Sequence, residues 1–408
     1  MWITREIEAT LREVAATRPA VVVTGCRQTG KTSLLTHSFP EHRYVSLDVP
    51  TVADDAETSG AEFLRRHSPP VIVDEVQYAP SLLRHVKADI DAHRDASGRF
   101  LITGSQKFPL MQGVTESLAG RGSVLTLHTL SAREFEAWSG EALAAATLLE
   151  WMQRGGYPEL QARGLDAERF YSDYLATYLE RDVRSVLGVR SLRDFDRFMR
   201  LCAARTGQLV SYSSLAADLG ISPNTVRSWL SVLDASNVVF LLEPYFENLG
   251  KRLVKTPKLY FLDTGLCCFL IGARSPRDLA GSPLLGAVFE THVLGQLVRH
   301  FANAGRRPDL YFYRDHHGRE VDFLIPSAGR FALIECKWSE SPSPTQRGFL
   351  ELESLVGTER ILSETIVTPL RGLRPLAGRV DIADSVSLAF LAADRASREV
   401  PGPPLAGL

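Results

Sequence analysis

The stretch "RPAVVVTGCRQTGKTSLL" constrains the chain more than any other. A β-branched run, Val21–Thr24, lies between Pro19 and Gly25 and predicts a buried strand. Gly25-Cys26-Arg27-Gln28-Thr29-Gly30-Lys31-Thr32 follows and fits G-x-x-x-x-G-K-[ST] in full. Such a loop belongs between a parallel strand and a helix whose N-terminus faces an anion, so the first fold must be α/β. The glycines let backbone N–H groups from Gly25 through Ser33 close around phosphates. Lys31 reaches the β- and γ-phosphates, and the Thr32 hydroxyl binds Mg²⁺. The implied ligands are ATP and Mg²⁺. Cys26 contributes its backbone alone.

Two further segments extend this site. "PPVIVDEVQYAP" predicts a second buried strand that ends in acids. Asp74 then joins the Mg²⁺ shell, and Glu75 orients or deprotonates the attacking water. "RFLITGSQKF" predicts a third strand that carries Thr103, Ser105 and Gln106 to the same sheet edge, with Ser105 sensing the γ-phosphate. Arg121, between Gly120 and Gly122, suits either an arginine aimed at a phosphate, its own or a neighbouring subunit's, or a structural ion pair.

A chain of 408 residues is too long for one core. Four segments are expected: an ATPase core over 1–140, a helical lid over 141–200, a winged helix over 201–272 and a last α/β domain over 273–400. The net charge of −2 gives no global pull toward nucleic acid, so any such contact needs local basic patches. Five cysteines without metal-ligand spacing predict reduced thiols and a cytoplasmic protein. "MWITREIEATL" is amphipathic and unlike a signal peptide, and no apolar run approaches the ~18 residues of a membrane helix.

Beyond residue 140, apolar and aromatic residues recur at helical spacing, as in "AERFYSDYLATYLERDVRSVLG". Its charged end, with Glu180, Arg181, Asp182 and Arg184, suits an ion-pair network, a solvated face or nucleotide contact. "VSYSSLAADLGISPNTVRSWLSVLDASNVVFLLEPY" predicts a helix–turn–helix followed by a strand. Ser222 caps and Pro223 opens the second helix. Val226, Leu230 and Leu233 form its buried stripe, and Asn224, Thr225, Arg227 and Ser228 face outward toward a major groove. Lys251, Arg252, Lys255 and Lys258 follow as a phosphate-contacting wing. Packing between domains accounts for the same pattern equally well.

Near the end, "ALIECKWSE" puts Glu335 and Lys337 two apart on one strand face, as a solvated ion pair or as part of a metal site. A helix carrying Glu290 and a strand carrying Asp322 precede them. That order matches a restriction-nuclease-like core: Glu290, Asp322 and Glu335 hold Mg²⁺, and Lys337 positions the attacking water. His316 and His317 fall at a turn tip.

Taken together, the chain closely resembles a widespread group of prokaryotic AAA-type ATPases. These join a P-loop ATPase domain to a C-terminal domain of unknown function with a PD-(D/E)XK nuclease-like end. The resemblance runs to about residue 340, through "GCRQTGKTSLL", "VIVDEVQ", "LITGSQ", "SLAGR", "YLERDVR", "ARTGQLVSYSSLAADLGIS", "NLGKRLVKTPKLYFLDTGL", "FETHVL", "GREVDFLI" and "IECK". It departs from the group's pattern in Cys26, where proline is common, and in Val321, where proline often precedes the acid. The resemblance implies ATP binding and a nuclease-like end; the three modules together suggest ATP hydrolysis coupled to action on nucleic acid such as DNA, and a homo-oligomer is expected if the protein works as a nucleotide-dependent switch. An ATP-dependent switch or scaffold whose nuclease-like domain binds a partner without cutting is the alternative.

Overall fold

The computed structural model describes residues 2–104, 118–178, 192–245 and 255–388. Its first sheet contains β1 (Ala20–Thr24), β2 (Arg43–Ser46), β3 (Val71–Asp74), β4 (Phe100–Thr103) and β5 (Gly122–Thr126). All pairings are parallel, in the order β2-β3-β4-β1-β5. Helices cover both faces, which explains the unbroken apolar strands. Val21 and Val23 pack toward α1 (Ile7–Thr17) and α2 (Lys31–Ser38). Val22 points the other way, among residues of α3 (Pro50–Thr58), α4 (Gly60–Arg66) and α5 (Leu82–Ala92). Because the strands are parallel, Gly25, Asp74 and Thr103 all arrive at one edge.

Helices α6 (Ala132–Ser139), α7 (Ala145–Arg154), α8 (Pro158–Ala162), α9 (Ala167–Tyr178) and α10 (Leu192–Ala203) follow. Next comes a three-stranded antiparallel sheet, β6 (Gln208–Leu209), β7 (Val239–Leu242) and β8 (Lys258–Phe261), in the order β6-β8-β7. Between β6 and β7 lie α11 (Tyr212–Leu219) and α12 (Pro223–Ala235). Ser222 caps α12 by accepting from the Thr225 N–H at 3.1 Å. Phe195 and Phe198 of α10 pack on Trp229 of α12 with centroids 5.1 and 5.3 Å away. One apolar cluster joins α9, α10 and α12, so the core is continuous across residues 200 and 201.

The last unit begins with α13 (Thr264–Ile271), α14 (Pro276–Ala280) and α15 (Leu285–Asn303). Its six-stranded mixed sheet contains β9 (Tyr311–Arg314), β10 (Glu320–Ser327), β11 (Arg330–Cys336), β12 (Ile361–Val367), β13 (Arg374–Ala377) and β14 (Val380–Ala383). The order is β13-β14-β12-β11-β10-β9. Residues Val293 and Leu297 of α15 cover one face, against Phe323 and Ile334. Phe349 and Leu352 of α16 (Arg347–Val356) cover the other, against Leu324 and Leu333. Among the described residues no helix is long and apolar enough to cross a membrane. All five cysteines are unpaired thiols.

Candidate functional site

The glycine loop follows β1 and opens α2. Gly25 has φ +138°, and a Cβ there would lie 2.0 Å from the Leu127 carbonyl oxygen, so glycine is obligatory. Gly30 has φ +89° as the residue preceding α2. Lys31 is buried, and its Nζ donates to the Gly25 and Cys26 carbonyls at 3.1 and 2.8 Å. Burial pushes its ammonium below the ordinary lysine range, opposed chiefly by the nearby Glu75 charge. Thr32 Oγ1 donates to Asp74 Oδ1 at 2.8 Å. Tyr44 donates to Asp74 Oδ2 at 2.9 Å, and the Thr103 hydroxyl donates to Asp74 Oδ1. Thr103 also accepts the Glu75 N–H at 3.1 Å.

Arg27, Gln28, Lys31, Thr32, Ser33 and Glu75 line a cleft of about 300 Å³, and Tyr174 and Thr177 of α9 close it. A second cavity of about 450 Å³ lies beside it, between Trp2 and Ile3, Thr29 and Gly30, and Pro158 of α8. Behind the loop, Arg5 is fully engaged. It donates to the Thr29 carbonyl at 2.9 Å, the His128 carbonyl at 2.8 Å and Glu134 at 3.1 Å. The buried Cys26 thiol lies 2.8 Å from the Tyr174 hydroxyl, and burial pushes it up.

Ser105 and Gln106 lie outside the described residues, as do Glu180, Arg181, Asp182, Arg184, Lys251 and Arg252. Arg121 is elsewhere than its own nucleotide site. Gly122 pairs with Ala20 at the start of β1, so Arg121 stands at the opposite sheet edge from Gly25, about 20 Å away along the strand. Its Nε and Nη2 donate to Asp91 at 2.8 and 3.1 Å. The within-subunit reading of Arg121 therefore fails on distance.

A second polar site lies on the last sheet. Glu290 of α15 and Glu320 and Asp322 of β10 bring carboxylate oxygens within 4.8 Å of one another. Among them sits the ammonium of Lys258, which is only 2% exposed. It lies 3.0 Å from Glu290, 4.0 Å from Asp322 and in direct contact with Glu320. Burial alone would lower its pKa, but Glu290, Asp322 and Glu320 hold it above the ordinary value. The wing assignment of Lys258 is thus corrected: Leu259, Tyr260 and Phe261 bury the strand that carries it. Lys255 is exposed.

Glu335 is outside the trio whose oxygens lie within 4.8 Å of one another, but near enough to feel the charges of Glu290 and Glu320. Lys337 donates to its Oε1 at 2.6 Å, and among the described residues its buried Oε2 has no hydrogen-bond partner. Asp322 accepts the Cys336 N–H at 2.8 Å. Burial pushes the Asp322 carboxyl well above its usual range, helped by Glu290 and Glu335. Burial likewise raises Glu335, while Lys337 opposes the shift. The sequence pattern groups Glu290, Asp322 and Glu335; the fold adds Glu320 as a third carboxylate close to Glu290 and Asp322, and the Glu335 charge still acts on Asp322. A register shift between Val321 and Leu324 accompanies the difference. His316 and His317 are exposed at the β9–β10 turn.

Sequence reasoning missed Arg5, Tyr44, Glu320 and the true place of Lys258. Lys258 left only a faint signal: it directly precedes the apolar run Leu259-Tyr260-Phe261, and a cation drawn into such a strand needs a buried counter-charge.

Comparison with known proteins places these observations. Residues 17–136 match a family model described as an AAA domain. Residues 145–277 and 285–379 match two models described as domains of unknown function, DUF8612 and DUF4143. The uncharacterized proteins Rv2008c of Mycobacterium tuberculosis and Mb2031c of Mycobacterium bovis are each 33% identical over 348 residues, which is 83% of this chain and 75% of theirs. Among solved structures, the Walker-type ATPase paby2304 of Pyrococcus abyssi aligns over 66% of this chain and 96% of its own. Its identity is 15% and its TM-score 0.45, too loose a likeness to carry functional argument. The chain therefore belongs to the family of the mycobacterial proteins Rv2008c and Mb2031c, and its first domain is an AAA-type P-loop ATPase domain.

Proposed function

We propose that the protein binds and hydrolyses ATP and couples its nucleotide state to a C-terminal nucleic-acid-binding module. One observation carries this reading: Lys31, Thr32, Asp74 and Glu75 come together at the carboxyl edge of a parallel sheet, beside the glycine loop that opens α2. The Thr32 hydroxyl and Asp74 carboxylate are hard oxygen donors 2.8 Å apart and fit Mg²⁺, which when bound neutralises phosphate charge. Lys31 binds the terminal phosphates. Glu75 orients or deprotonates the attacking water, while Tyr44 and Thr103 fix Asp74. The cavity beside Trp2 and Pro158 suits the base and ribose. Lys31→Ala should abolish ATP binding, and Glu75→Gln should bind ATP without turning it over. Sustained turnover in Glu75→Gln would remove Glu75 from the role of base.

The unit over 192–261 runs helix, strand, two helices, two strands, the order of a winged helix. Asn224, Arg227 and Ser228 are exposed on α12, and Lys255 is exposed beside β8. Duplex DNA is the partner this surface suits. Arg227→Ala with Lys255→Ala should weaken DNA binding and flatten its salt dependence. In the last unit, the orphaned Glu335 oxygen and the all-carboxylate donor set suit a hard divalent ion. Asp322 and Glu335, with Glu290, would hold Mg²⁺ there, and Lys337 would position water. Mn²⁺-dependent cleavage of DNA that Lys337→Ala abolishes would support the nuclease version. The buried Lys258 favours the second reading, an ATP-dependent switch whose nuclease-like domain binds without cutting.

A further inference from the structure

We infer that Lys258 is the resident cation of the acidic pocket on the last domain, standing where a divalent ion would otherwise bind. The inference rests on reading that pocket as a cation site. It concerns which cation the chain itself supplies.

Three observations carry it. First, the Lys258 ammonium meets carboxylates from two different elements, Glu290 of α15 and both Glu320 and Asp322 of β10. These are the same three groups whose oxygens converge within 4.8 Å, a spacing suited to one cation between them. Two cations at the centre of one such trio would repel at close range. Second, the lysine is fixed. It begins β8, the middle strand of its sheet, paired to Leu209 of β6 and Leu242 of β7. With 2% exposure, its ammonium is held among these carboxylates away from water. Third, the pocket is closed around it. The Tyr260 hydroxyl donates to Glu290 Oε1, and Arg314 donates to Glu320 Oε2 at 2.9 Å. Every carboxylate of the trio therefore has a second partner: the Cys336 N–H serves Asp322 in the same way.

The consequence is chemical. A lysine neutralises carboxylates but has no acidic water to offer and no vacant coordination position, so it cannot activate a nucleophile as a divalent ion does. It does join the three-stranded unit to the last domain through a buried ion pair.

The test is Mn²⁺ binding to nucleotide-free full-length protein, read by electron paramagnetic resonance of the free ion and by the metal-induced rise in melting temperature. Lys258→Met should bind Mn²⁺ at least about tenfold more tightly than wild type. Adding Asp322→Asn should erase that gain. If Lys258→Met does not fold, Lys258→Met with Glu320→Gln preserves net charge and carries the same measurement. Equal Mn²⁺ affinity in wild type and the folded variant overturns the inference. So does DNA cleavage by wild type that depends on Mn²⁺ and on Asp322. A gain of metal binding in a wild-type-inert protein sustains the inference while sinking the nuclease version of the function.

Discussion

Arg5 holds the phosphate loop from behind: its Nη1 donates to the Thr29 carbonyl at 2.9 Å, and its Nε pairs with Glu134 at 3.1 Å. The guanidinium is buried and also reaches the His128 carbonyl. Removing it leaves Glu134 as a buried charge without its partner. Arg5→Ala should cost about 3–5 kcal/mol in chemical denaturation and weaken ATP binding. Arg5→Lys should not restore either, because one ammonium cannot serve three acceptors in a planar fork. Wild-type stability in Arg5→Ala would show the loop needs no such brace.

Thr103 serves two acids at once. Its hydroxyl donates to Asp74 and accepts the Glu75 N–H, and Glu75 itself holds a left-handed φ of 56°. Thr103→Val keeps the shape and removes both bonds. ATP turnover should fall about 10- to 100-fold, with ATP affinity nearly unchanged, since the side chain orients the acids rather than the phosphates. Steady-state turnover beside equilibrium nucleotide titration separates the two effects.

What the sequence disclosed follows the range of the interactions. Lys31 and Thr32 were legible because loop geometry fixes their spacing, and Asp74 because a parallel strand delivers its last residue to the same edge. The α12 stripe of Val226, Leu230 and Leu233 was legible from helical period alone. Lys258 and Glu320 were not, because their meaning depends on partners brought together from β8, β10 and α15. A lysine in a basic cluster looks solvated until the fold supplies three carboxylates. Arg121 was ambiguous for a related reason: its neighbours are glycines, and only the register of β5 on β1 tells which sheet edge it occupies.

His292 gives the protein an acid sensitivity of known sign. Its ring is buried on α15, with Nε2 2.9 Å from Ser385 Oγ, and burial, aided by the Arg299 charge, depresses its pKa to about 3. Unfolded, it titrates at the ordinary value near 6.5. Between these limits the unfolded chain binds one more proton than the folded one. Stability therefore falls as pH drops from 6.5 toward 3, by up to about 1.4 kcal/mol per pH unit from this residue. His292→Gln should remove that slope. The raised Asp322 acts in the opposite sense, so the comparison is between wild type and variant at each pH. Parallel pH–stability curves for the two would contradict the assignment.

Arg121 admits two separable roles, a surface ion pair with Asp91 or a contact to the nucleotide of another copy. Its guanidinium faces Asp91 across the sheet edge remote from the glycine loop, and both side chains are about one-third exposed. An ion pair so placed contributes little to stability, because water screens it and two long side chains lose freedom. Arg121→Ala should leave the melting temperature and the ATP affinity of the isolated subunit nearly unchanged. An arginine at that edge reaches a nucleotide only if the nucleotide belongs to another copy. Specific ATPase activity should then rise with wild-type concentration and stay flat in Arg121→Ala. Activity that is independent of concentration in both proteins leaves Arg121 as a surface ion pair and nothing more.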